Sequence, residues 1–179
     1  MLTFILVLGV SATIAAIWHL RPQVYDTVRL SNRLVVFEGL PHPMYEEATF
    51  EKELKSQQTI QISGFPFYLE PLDMKVEDLK ALRDLLGNRN TYQAYSGEKK
   101  CGGFHPDYAV EWTFEGRVYR CLICFGCFEV RFIDPKGNER SYDLRQDRDG
   151  RTRKSGLSDL LKTYRNHRPP HERFGLFLL

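Results

Sequence analysis

Apolar residues run without a charge from Leu2 to Leu20 (LTFILVLGVSATIAAIWHL), and only then does the chain become amphipathic. As a helix this run spans roughly 28 Å, close to the roughly 30 Å of a bilayer's hydrocarbon core. Trp18 and His19 fall at interface level, where aromatic rings are enriched, and Arg21-Pro22 ends the run. The pattern predicts one N-terminal transmembrane helix over 2–20, with a cleaved signal sequence as the alternative. No Lys or Arg precedes the run, and Thr13 and Ala15 make a weak cleavage site, which favours the uncleaved anchor. Arg21, Arg29 and Arg33 lean toward a cytoplasmic domain, but so few charges leave the side of a single-pass membrane protein open.

Beyond a polar linker over 21–32, the spacing alternates between strand and helix periods. Arg33 to Glu38 (RLVVFE) is β-branched and aromatic and predicts a strand, broken by Gly39-Leu-Pro-His-Pro43. Pro43 suits the first turn of a helix running to about Ser56, with Met44, Ala48 and Glu51 at helical spacing. Thr59–Ser63 and Phe65–Leu69 read as short strands. Asp73 can cap a helix over Met74–Leu86, whose Val76, Leu79, Leu82, Leu85 and Leu86 make one apolar face before Gly87. After a long loop from Asn88 to Asp107, Tyr108–Phe114 and Arg117–Phe125 pair across Glu115-Gly116. Glu129–Ile133 and Glu139–Leu144 pair across Asp134–Asn138. Leu157, Leu160, Leu161 and Tyr164 mark a last helix. Helices and hairpins segregate and βαβ alternation is absent. The expected fold is therefore α+β, an antiparallel sheet of β hairpins with about three helices, preceded by the transmembrane helix. It forms one domain over 33–167 with a tail over 168–179.

Composition narrows the function classes. The chain has 179 residues, 42% hydrophobic and 27% charged, with a net charge of +2. It is neither a disordered chain nor a polyanion binder by bulk charge. Residues 140–173 hold ten Lys or Arg against five Asp or Glu. That excess suits contact with anionic lipid through 145–173. Nucleic acid is disfavoured because no aromatic platform accompanies the basic residues.

The cysteines carry the most distinctive chemistry. Cys101, Cys121, Cys124 and Cys127 lie within 27 residues, and His105 follows Cys101. Pairing of the first hairpin returns the loop at 101–105 to the far end of the second strand, where Cys124 and Cys127 sit. Side chains three apart on a strand face opposite ways, so Cys121 and Cys124 diverge. Cys124 and Cys127 converge only if the chain bulges or turns at Phe125-Gly126. Four readings stand. A structural disulfide joins Cys101 with Cys124 or Cys127 and needs an oxidising compartment. A Zn site uses Cys101, His105, Cys124 and Cys127 as Cys3His. A redox dithiol uses Cys124 and Cys127, without the helix N-terminus that normally lowers a thiol's pKa. The remaining reading is four buried, unrelated thiols. A c-type haem is disfavoured because Phe128 stands where C-x-x-C-H requires His.

The segments EKKCGGFHPDYAVEW and CLICFGCFEV resemble a set of uncharacterised bacterial membrane-anchored or exported proteins. Their shared pattern is C-x(3,4)-P, a hairpin, then I-C-F-x-C. It maps to Cys101, Pro106, Ile123, Cys124, Phe125 and Cys127. The likeness covers residues 95–133 and, more loosely, EGLPHP at 38–43. It implies a membrane or envelope setting, selects Cys101, Cys124 and Cys127 over Cys121, and brings no established activity.

Other candidates carry less. His42, between two prolines, is a ligand or a turn residue. Asp107 and Glu111 could orient His105. Gly102-Gly103 alone is a weak phosphate cradle, and Asp147 and Asp149 read as solvated surface. No G-x-S-x-G, Walker or H-E-x-x-H motif occurs. The expected function is a membrane-anchored, non-enzymatic domain with a cysteine hairpin clamp, its protein partner unspecified. The alternative is an anchored thiol-disulfide oxidoreductase using Cys124 and Cys127.

Overall fold

A computed structural model describes residues 23–99, 101–145 and 156–167. In chain order the helices are α1 (Val24–Arg29), α2 (Glu47–Ser56), α3 (Val76–Leu86) and α4 (Gly156–Lys162), with a 3-10 turn at Arg89–Thr91. The strands are β1 (Leu34–Glu38), β2 (Thr59–Ile62), β3 (Phe65–Tyr68), β4 (Tyr92–Ala94), β5 (Tyr108–Phe114), β6 (Arg117–Cys124), β7 (Glu129–Ile133) and β8 (Glu139–Leu144).

Six of these strands form one antiparallel sheet in the order β1-β5-β6-β7-β8-β4, and β2-β3 form a separate hairpin. β5 to β8 are a meander. The two edge strands come from distant parts of the chain: β1 aligns Leu34 with Trp112, and β4 aligns Tyr92 with Leu144.

The expected architecture is corrected in three places. The sheet is more than a set of hairpins, because β1 and β4 join it from afar. Among the described residues there are four helices. Among the described residues no helix is long and apolar enough to cross a membrane. The longest is α3 with 11 residues, about half of what a span needs. The expected span over 2–20 lies outside the described residues, as do 146–155 and 168–179, which hold most of the basic stretch.

Side-chain alternation gives the sheet two faces. On one, Val36, Val110, Trp112, Cys121, Ile123 and Phe132 pack against α1, α3 and α4 through Val28, Leu82, Leu86, Leu157 and Leu161. On the other, Phe37, Ala109, Leu122 and Ile133 pack against Ile62 and Phe67 of the β2-β3 hairpin. The presumed linker therefore takes part in the core. Val28 is fully buried, and the Trp112 indole N–H donates to Thr27 Oγ1 at 3.0 Å. α3 starts at Val76 and not Met74, because Lys75 is extended at the cap while the Met74 side chain is buried in the core.

The break after β1 becomes a tight seam. Gly39 N–H donates to the Asp107 carbonyl at 2.8 Å, and Asp107 N–H donates to the Ile123 carbonyl at 2.7 Å. A Cβ on Gly39 would stand 2.2 Å from the Pro106 carbonyl oxygen, a contact with rigid backbone. Gly39→Ala is therefore expected to force β1 away from the 105–107 segment. The expected cost is about 1–3 kcal/mol, read as a lower urea midpoint with an unchanged m-value.

Candidate functional site around the cysteine hairpin

Parity on β6 separates the cysteines. Cys121 faces the helices in the main core, fully buried. Cys124 emerges on the opposite face at the strand end, where it aligns with Glu129 of β7. The chain then makes a turn over 125–128 whose left-handed residue is Phe128 (φ 51°). This turn brings Cys127 round, so that its backbone N–H donates to Cys124 Sγ at 3.3 Å. The disulfide, however, joins Cys127 to Cys101, with Cα atoms 5.7 Å apart. Cys121 and Cys124 remain free thiols.

The bond pins a loop that other contacts also hold. Ser96 N–H and Oγ donate to Asp143 Oδ2 at 3.1 and 2.6 Å, and Lys99 Nζ lies 2.8 Å from Asp143 Oδ1. The Arg131 guanidinium sits 3.8 Å over the Phe104 ring while its Nε donates to Glu129 at 2.8 Å. Glu129 and Asp143 are opposed across β7 and β8, both buried. Like charges so placed repel. Arg131 and Lys99 offset that repulsion, and Lys99 also brings the loop down.

Two segments meet above the disulfide. Gly102 has the Tyr45 ring and Met44 Sδ about 3 Å from where a Cβ would be, and its left-handed backbone (φ 78°) favours glycine there. His42 closes the 42–46 turn. Its Nδ1 accepts from Met44 N–H at 3.1 Å, and its own N–H donates to Glu46 Oε2 at 2.9 Å. This turn occupies the start of the expected helix and delays α2 to Glu47. The rings of His42 and His105 lie 4.8 Å apart. Met44 and Tyr45 stay exposed at 63% and 52%.

Behind the clamp lies a charged latch that the sequence pattern did not single out. The Asp107 and Arg165 side chains form an ion pair at 3.2 Å with only 6% and 5% exposure. Asp107 Oδ2 also accepts from Phe125 N–H at 2.8 Å, fixing the start of the turn that carries Cys127. Glu38, 1% exposed, accepts from the backbone N–H groups of Asn166 and His167 at 3.0 and 3.2 Å. The Tyr108 hydroxyl donates to the Leu161 carbonyl at 3.0 Å, and His167 stacks on Tyr68 with 3.9 Å between centroids. The one hint was Glu38 closing an apolar strand next to the GLPHP break.

These contacts set the chemistry. Burial pushes the Cys124 thiol up to about 12, and the Asp107 carboxylate adds to the rise. Backbone N–H groups of His105 and Cys127 pull it down, and Glu129 raises it slightly. Burial also raises the Cys121 thiol well above its ordinary range. Neither thiol is a ready nucleophile at neutral pH.

The sequence candidates divide accordingly. Cys101 and Cys127 are bonded to each other, Cys124 lies beside them, and His105 is buried next to His42. The Cys3His set for Zn does not form, because two of its four donors are consumed by the disulfide. Among the described residues no group of three or more His, Cys, Asp or Glu is arranged to hold a metal. Asp107 binds Arg165 and the turn, and Glu111 pairs with Arg120 at 2.6 Å. No family model, curated protein or solved structure matches this chain.

Proposed function

We propose that this is a non-enzymatic domain of an oxidising compartment whose cysteine hairpin is a structural clamp. Its working surface is the exposed Met44–Tyr45 turn that the clamp supports. The observation that carries this reading is the pairing itself. Cys127 is bonded to Cys101 across 26 residues, not to Cys124 in its own C-x-x-C. A C-x-x-C oxidoreductase cycles the bond within the motif and exposes a low-pKa thiolate at a helix N-terminus. Here the motif lies on a strand end and a turn, Cys124 is 3% exposed, and its thiol is pushed up to about 12. A bond that closes a long loop and places one sulfur in the interior suits a compartment where disulfides persist.

The test is thiol counting in glutathione buffers at neutral pH. The clamp reading expects Cys101–Cys127 to persist for hours at a cytosolic poise, and the protein to leave the rate of insulin reduction by dithiothreitol unchanged. Reduction within minutes together with accelerated insulin reduction would support an oxidoreductase in its place.

A further inference from the structure

Cys124 is a buried free thiol with no part in the disulfide, yet it touches the clamp. Its Sγ accepts from the N–H of Cys127 at 3.3 Å, so the sulfur of the last β6 residue lies against the backbone of the turn. The Gly103 carbonyl oxygen lies 3.6 and 3.5 Å from the sulfurs of Cys101 and Cys127. Three cysteines thus cluster at the end of β6. They differ in access to water: Cys124 and Cys127 are each 3% exposed, whereas Cys101 is half-buried on the loop.

We propose that Cys124 is the nucleophile of an internal thiol–disulfide exchange site that converts the Cys101–Cys127 clamp into a Cys124–Cys127 pair and releases Cys101 as a reactive thiol. The Cys124 thiol gives its proton to solvent base and its sulfur attacks Cys127 Sγ. The Cys124–Cys127 bond forms as the Cys127–Cys101 bond breaks. The electron pair leaves on Cys101 Sγ, which is then protonated. One disulfide and one thiol enter and one of each leaves, so no oxidant or reductant is consumed. Attack at Cys127 closes a ring within a turn that already exists. It also expels the sulfur nearest water, where a departing thiolate is best solvated.

The charged groups around the cluster set the rate. Asp107, from the segment before β5, and Glu129, from β7, face Cys124 and oppose its ionisation. Each carboxylate is itself paired, Asp107 with Arg165 and Glu129 with Arg131. The backbone N–H groups of His105 and Cys127 favour the thiolate. The carboxylates together with burial prevail, which keeps the clamp closed at neutral pH. Below the thiol's pKa the thiolate fraction, and with it the exchange rate, grows about tenfold per pH unit.

The inference rests on the clamp reading in one respect, that Cys101–Cys127 is the resting pair. The experiment reads the two separately. The full chain is incubated with iodoacetamide at several values between about pH 8 and 10, and its peptides are mapped without reduction. At time zero the map is expected to give Cys101–Cys127; any other pairing overturns both the clamp and the exchange. With time, alkylated Cys101 is expected together with a Cys124–Cys127 peptide. Its rate should rise about tenfold per unit and be abolished in Cys124→Ser and Cys124→Ala. Label on Cys124 with Cys101–Cys127 intact overturns the exchange and leaves the clamp standing. So does alkylation of Cys101 at the same rate in either variant, or an unchanged map at the highest pH.

Discussion

Replacing Cys101 and Cys127 together by serine is expected to lower the unfolding free energy by about 3.5 kcal/mol, the entropy released when a loop of this length is no longer closed in the unfolded chain. The bridge spans 26 residues, and those residues contain all of β5 and β6, the centre of the sheet. The folded structure should survive, because the loop keeps three other attachments. These are Lys99 and Ser96 on Asp143, Phe104 under Arg131, and Asp107 on the Phe125 N–H. The measurement is thermal unfolding of the variant beside the wild type with and without reductant. A Tm lower by on the order of 10 °C is expected for the variant, and reduced wild type should fall to the same value. A variant as stable as the oxidised wild type would mean that the bond constrains nothing that folding has not already fixed.

Asp107→Ala is expected to cost about 3–5 kcal/mol, because it strands a buried guanidinium. The Arg165 side chain is 5% exposed, and its charge is paired with the Asp107 carboxylate while its Nε donates to the neutral Tyr108 hydroxyl. The same carboxylate holds the Phe125 N–H at the start of the Cys127 turn. Removing it therefore loosens the clamp's anchorage and the segment after α4 together. Arg165→Met leaves the Asp107 carboxylate with its backbone donor and should cost less. The double variant should recover part of the loss of Asp107→Ala, since a buried pair replaced by apolar groups is cheaper than a buried half-pair. Urea unfolding of the two single variants and the double variant gives the coupling energy. Additive losses would mean that the two side chains do not act on each other.

The strands were legible because period-2 alternation and turn residues are local. Tyr108–Phe114, Glu129–Ile133 and Glu139–Leu144 have the bounds that alternation predicts. β4 was not legible, because three residues, Tyr92–Ala94, carry too short a pattern and become a strand only by pairing with β8. α1 was hidden for a related reason. VYDTVR is too short to show a face, and its burial depends on Trp112, 85 residues away. Strand parity assigned Cys121 to one face and Cys124 to the other. It left the partner of Cys101 open, because the choice between Cys124 and Cys127 depends on the 125–128 turn, where the left-handed residue is Phe128 and not Gly126 two positions earlier. The latch of Glu38, Asp107 and Arg165 joins positions up to 129 residues apart, and no local spacing encodes such a contact.

The central claim is that one cysteine pair is a clamp and the other two cysteines are buried thiols. Its most direct test is to unfold the protein in guanidinium with N-ethylmaleimide, after isolation without reductant, and map the peptides. The structure predicts label on Cys121 and Cys124 and a single cross-linked peptide joining Cys101 to Cys127. Label on all four cysteines would contradict it and return the hairpin to a set of free thiols.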